Sequence, residues 1–240
     1  MRTFAEIEAD IERARAVSDV AALRSLATEM EGLGTPPAAA IAHGARGVAF
    51  ALVGAYEEAL ATLGNALEEY EALHDAKGIG RMLGNMALVC TFKTDHVKAL
   101  EYYRRALEIR DALGDELGKA NDIGNIGIGY LSTGDYPKAL EHFWRALAIH
   151  TAQGDQAGAA RVTGNIGNVY RSTGDHEQAR IHYAQAIAMH AAMGNRLGMA
   201  RMTLNVGLTH LDADDFEQAL VHFEQARATL EELGDMTGVV

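Results

Sequence analysis

Gly124-Asn125-Ile126-Gly127-Ile128-Gly129-Tyr130-Leu131-Ser132-Thr133-Gly134-Asp135 returns forty residues later as Gly164-Asn165-Ile166-Gly167-Asn168-Val169-Tyr170-Arg171-Ser172-Thr173-Gly174-Asp175. Asn85 and Asn205 extend the same register in both directions. A fixed period of this size marks stacked supersecondary units, none of which can bury its apolar face alone. A binding scaffold is the natural use of such an array.

Working outward, the Gly or Ala at positions 47, 87, 127, 167 and 207 marks five units. Each reads as a helical hairpin. First helices are expected near 38–53, 78–93, 118–133, 158–173 and 198–212, and second helices near 56–73, 96–113, 136–153, 176–193 and 216–233. Thr94-Asp95, Gly134-Asp135 and Gly174-Asp175 supply the stop and the next cap, because Gly tolerates the left-handed region and Asp accepts orphan N–H groups. Leu113-Gly114-Asp115, Gln153-Gly154-Asp155, Met193-Gly194-Asn195 and Leu233-Gly234-Asp235 close the second helices.

Small residues recur in the second helices at 59, 99, 139, 179 and 219, and again at 66, 106, 146, 186 and 226, all alanine. Between them stands Leu63, Tyr103, Phe143, Tyr183 or Phe223, a knob for the space that the alanines leave. This pattern resembles the tetratricopeptide repeat (TPR), over residues 38–233. The resemblance implies an all-α fold, an α-α superhelix built as a solenoid of antiparallel hairpins. The forty-residue period, longer than the usual TPR unit, resembles the subclass in spindle-orientation adaptors, kinesin light chains and bacterial signalling proteins.

Residues 1–37 are expected to form an N-terminal helical cap, with helices near 3–16 and 19–32, Ser18 or Asp19 capping the second, and Gly34-Thr35-Pro36-Pro37 as a break. Leu23 and Ala27 stand forty before Leu63 and Leu67, as in a degenerate repeat. Residues 234–240 read as the opening of a sixth unit, which suggests a piece of a longer protein. That ending predicts partly uncovered Phe216, Leu220, Phe223 and Leu230, and self-association through the C-terminal face.

Apolar content of 48% suffices for a packed interior. A formal net charge of −12 argues against a general nucleic-acid or anionic-membrane surface, both of which need clustered Lys and Arg. The single cysteine, Cys90, takes a position filled elsewhere by Phe50, Tyr130, Tyr170 and His210, so it reads as a buried filler in a reducing compartment. No apolar run reaches membrane-spanning length and the N-terminus lacks a secretion signal, so the expected location is cytoplasmic.

The resemblance places the first helices on the concave wall, where one stripe reads Arg81-Asn85-Leu88, Asn121-Asn125-Ile128, Arg161-Asn165-Asn168 and Arg201-Asn205-Leu208. Arginine grips a carboxylate with two bonds, and an asparagine amide both donates to and accepts from an extended backbone. The ladder therefore suits an extended acidic peptide. The spacing is similar to the carboxylate clamp of co-chaperone TPR domains, but it runs over four units, which favours a long internal segment. In the competing assignment each Asn bridges neighbouring helices and each Arg pairs with an acid of the next hairpin. A basic inner wall of Arg81, Lys93, Lys119, Arg161, Arg171 and Arg201 is also expected.

His142, His182 and His222 repeat at forty, but equivalent positions on adjacent hairpins lie about 8–10 Å apart, too far to share a zinc. Surface or inter-repeat polar contacts are expected instead, and no metal or cofactor. No nucleophile elbow, phosphate loop or zincin motif is present, so the chain does not read as an enzyme. Trp144 falls on a variable position, either an exposed anchor or a shield for the next hairpin. The expected function is a protein-interaction scaffold. The alternative is a regulatory or dimerising domain of a bacterial nucleotide cyclase or histidine kinase.

Overall fold

A computed structural model describes residues 2–233, which form an all-α array of twelve helices among the described residues. They run α1 (Phe4–Ala16), α2 (Val20–Glu31), α3 (Pro36–Leu52), α4 (Tyr56–Ala72), α5 (Ala76–Phe92), α6 (His96–Leu113), α7 (Glu116–Ser132), α8 (Tyr136–Ala152), α9 (Gln156–Ser172), α10 (His176–Ala192), α11 (Arg196–Asp212) and α12 (Phe216–Leu233). The chain divides into two compact units, Met1–Asp122 and Ile123–Val240. None of these helices is long and apolar enough to cross a membrane. The expected start of a sixth repeat, 234–240, lies outside the described residues.

Turn chemistry sets the hairpins. Asp75, Asp95, Asp135, Asp155, Asp175 and Asn195 are N-caps whose side chains accept from the amide three residues on. Each first helix closes when the cap N–H donates back to the residue-90-type carbonyl, as from Asp135 to Tyr130 and Asp175 to Tyr170, both at 2.9 Å. The turn needs one left-handed residue, supplied by Gly54, Gly134 and Gly174 but also by Thr94 at φ 61° and Asp214 at φ 59°. Thr94 holds this conformation against its branched Cβ because the surrounding hairpin imposes it.

The first helices begin two residues earlier than the expected starts near 78, 118, 158 and 198, since each helix starts directly after its cap. Asp19, not Ser18, caps α2, and Ser18 is the left-handed residue before it. Pro36 and Pro37 open α3 instead of forming a break, because a proline at the first helical positions forfeits no hydrogen bond.

Inside each hairpin the knob meets a hole. A Cβ built on Gly47, Gly127, Gly167 or Gly207 would lie 2.6, 2.8, 2.7 or 2.6 Å from the side chain of Leu63, Phe143, Tyr183 or Phe223. Real Cβ contacts are never that close, so these glycines let the helices approach. The ten periodic alanines are all buried. Leu23 and Ala27 are buried as well, and α2 packs on α3.

A second glycine register escapes the small-large-small pattern. Gly78, Gly118, Gly158 and Gly198, on the first turns of α5, α7, α9 and α11, receive Tyr70, Arg110, His150 and His190 from the preceding second helix. The clue was visible as glycine at a constant spacing of forty. The residue that it serves changes type in every unit, and that variation hid it.

Candidate functional site

In the Met1–Asp122 unit, Arg81 is committed. Its Nη1 donates to Glu12 Oε1 at 2.9 Å, its Nη2 donates to the Tyr70 hydroxyl at 2.8 Å, and its guanidinium lies 5.7 Å from the Tyr70 ring centroid. Asn85 is half-buried one helical turn away, and Asn121 is exposed and engaged.

In the Ile123–Val240 unit, Asn168 and Asn205 join neighbouring repeats. Asn168 Oδ1 accepts from Tyr183 Oη at 2.7 Å and from Asn205 Nδ2 at 3.4 Å. This bridging matches the competing assignment for those two positions. Arg161 and Arg201 are exposed on α9 and α11, and neither is without a partner. Although Arg161 reaches solvent, desolvation by surrounding protein lowers its pKa, against the pull of Asp155.

Asn85, Asn125 and Asn165 differ from Asn168 and Asn205. They occupy the same helical position in successive repeats and are half-buried. Among the described residues, their side-chain amides have no hydrogen bond to protein, and none is a sealed, unsatisfied group. Two donors and an acceptor on each therefore remain to be satisfied by solvent or a ligand.

The expected basic wall is largely neutralised. Lys93 pairs with Glu57, Lys119 with Asp111 and Arg171 with Asp212. The reason is reach: Glu57 and Asp111 on second helices, and Asp212 at the end of the next first helix, stand within side-chain length of these cations. At the foot of α7 one guanidinium serves two acids, with Arg110 Nη1 donating to Asp115 and its Nε to Asp122, each at 2.6 Å. The two pKa values separate. Hydrogen bonds from Gly118 N–H and Arg110 hold the more exposed Asp115 below its ordinary value despite partial burial, whereas burial pushes Asp122 up to about 6 against Arg110.

Of the periodic histidines, His142 makes a surface polar contact of the expected kind, its Nδ1 lying 2.8 Å from the Lys138 carbonyl oxygen. All three rings pack against the aromatic position of their own hairpin: His142 tilted on Tyr130 at 5.2 Å, His182 stacked on Tyr170 at 5.3 Å and His222 stacked on His210 at 5.4 Å. Planar rings facing across a hairpin prefer such packing. Trp144 is 44% exposed and also meets His182 edge-on, so both readings of it hold. Cys90 is buried, and burial raises its thiol pKa, as suits an inert filler. At the C-terminal face Phe216 and Leu220 are exposed, but Leu230 is buried, because it shares a helix face with Ala219 and Ala226.

Residues 38–112, 119–192 and 158–232 match the tetratricopeptide repeat family. The chain belongs to that family. The TPR assignment accords with solved structures of low identity that share the fold. BtubC (BKLC) from P. vanneervenii is 19% identical, with a TM-score of 0.64 over 96% of this chain and 91% of that one. NprR, solved in complex with its cognate peptide NprX, is 17% identical with a TM-score of 0.74, covering 95% of this chain and 67% of NprR. The Rap conjugation gene regulator of plasmid pLS20, in complex with the Phr* peptide, is 14% identical with a TM-score of 0.71, covering 82% of this chain and 54% of the regulator. No curated protein sequence matches the TPR chain closely enough to extend the comparison.

Proposed function

We propose that this TPR chain is a non-enzymatic scaffold that binds an extended, acidic segment of another protein on its first helices. In the Ile123–Val240 unit, Asn125 and Asn165 hold the segment's backbone while Arg161 and Arg201 face its carboxylates. Arg81, Asn85 and Asn121 are the corresponding residues of the Met1–Asp122 unit. Asn168 and Asn205 flank the site and brace it through their mutual bond.

One observation carries this reading: amides at a single helical position, half-buried in successive repeats, have hydrogen-bonding capacity that the fold does not use. Within the Ile123–Val240 unit, amides one repeat apart at Asn125 and Asn165 can serve the donors and acceptors that recur along an extended backbone. The peptide complexes of NprR and of the pLS20 Rap regulator support the reading, since the same fold holds peptides there.

The test is selection of a binder from a random-peptide library on the intact chain, followed by calorimetry on variants. Asn165→Ala should weaken the selected peptide by about tenfold, the net worth of roughly one hydrogen bond lost from a half-buried site. Its melting temperature should stay within a few degrees of the parent, because no intramolecular bond is removed. An unchanged affinity in the folded variant would overturn the assignment of this face.

A further inference from the structure

Glu12 lies where two arginines converge. Arg15 Nη1 and Arg81 Nη1 both donate to the same oxygen, Glu12 Oε1, at 2.6 and 2.9 Å. Three more guanidinium nitrogens, Arg15 Nε, Arg15 Nη2 and Arg81 Nε, are buried with no hydrogen-bond partner among the described residues. Other groups around the pair are engaged: the Tyr70 hydroxyl accepts from Arg81 Nη2, and Asp75, which acts on Tyr70, caps α5 through Gly78 N–H. Two cations thus share one carboxylate, and most of their donors are left over. Desolvation, with Arg81 nearby, holds the Arg15 pKa below its ordinary value.

An uncompensated buried charge is costly, and orphaned charged donors add to that cost. Glu12 cannot relieve it. It stands three residues before Arg15 on α1, so it approaches along the helix and offers a single oxygen to both guanidiniums. An acid arriving from solvent is free of that tether and can present both oxygens, the geometry that arginine favours. A way in exists, since the Glu12 side chain is 50% exposed against 12% for Arg15.

We propose that Arg15 and Arg81 form a carboxylate-binding site in the Met1–Asp122 unit, which Glu12 fills in the free chain and an acidic side chain of a protein partner takes over. Glu12 is then an internal competitor. It keeps the arginine pair ordered and raises the threshold for a partner, because only chains with Glu12 swung away can bind. The proposal rests on the preceding reading only in expecting an acidic partner.

The probe is acetyl-tetraglutamate amide, with the tetraglutamine peptide as control, followed through the Arg15 and Arg81 Nε–Hε signals by nitrogen-15 NMR of the intact chain. In the parent protein, probe at about millimolar concentration should shift both signals and leave Arg110 unmoved. Glu12→Gln should tighten probe binding by about tenfold, and adding Arg15→Gln should abolish it. Thermal unfolding checks that each variant is folded. If Glu12→Gln does not fold, the parent titration still decides. Silent Arg15 and Arg81 signals in the parent, equal affinity in Glu12→Gln, or equal response to the glutamine control would each overturn the site. Loss of this response with intact binding of library-selected peptides would leave the α9/α11 face standing; the converse would leave this site standing alone.

Discussion

His150 is fully buried, with Nδ1 2.9 Å from Asp155 Oδ2 and Nε2 unsatisfied. Burial, reinforced by Arg161, lowers its pKa, and Asp155 only partly opposes the shift. The unfolded chain therefore takes up a proton at the ordinary histidine value that the folded chain resists. Stability from this residue is complete above that value and is lost as pH falls toward the lowered folded pKa. Burial shifts His182, His190 and His222 in the same direction. Leu230 occupies the equivalent place in the last repeat, so the position accepts a residue that does not titrate. His150→Leu should shrink the fall in melting temperature between about pH 7.5 and pH 5.5 by a few degrees. Thermal unfolding at the two pH values checks this, and an unchanged difference would mean that His150 does not resist protonation. At this scale the sequence showed which residues recur but not what they touch. Asn165 and Asn205 look alike in the chain, yet Asn205 is spent on Asn168 and Asn165 is not, because position 168 is asparagine in one repeat only.

Among elements, glycine carries two opposite meanings. In α9, a Cβ at Gly167 would lie 2.7 Å from a Tyr183 ring carbon, and the buried ring has nowhere to move. In α4, a Cβ at Gly64 would meet nothing within 4 Å. Gly167→Ala should therefore cost about 1–3 kcal/mol through overpacking. Gly64→Ala should stabilise by up to about 1 kcal/mol, the helix propensity gained. Chemical denaturation of the two variants decides, and equal effects would show that the hairpin interior is misassigned. The helices themselves were legible because caps, left-handed turn residues and alanine spacing all point to the same boundaries. Their starts were misjudged by two residues where the cap aspartate belonged directly before the helix. Proline at 36 and 37 read as a break because its effect reverses with position: disruptive inside a helix, favourable at the first turn.

Over the whole molecule, the repeat period and the knob-and-hole pattern identified the family, since both recur in five units and a chance match would not. Function is written more faintly. The basic wall expected from the first helices is largely neutralised, because Glu57 and Asp111 of second helices and Asp212 of α11 lie within reach of Lys93, Lys119 and Arg171, a pairing that no linear reading could show. What survives the pairing is the set of half-buried amides that bond no protein group among the described residues. The most direct measurement is nitrogen-15 NMR of the asparagine side-chain amides while a library-selected peptide is added to the intact chain. The signals of Asn125 and Asn165 should shift strongly, because their amides gain hydrogen bonds on binding, whereas Asn65, on second helix α4, should not move. Shifts confined to second-helix residues, with Asn125 and Asn165 unmoved at saturation, would contradict the account.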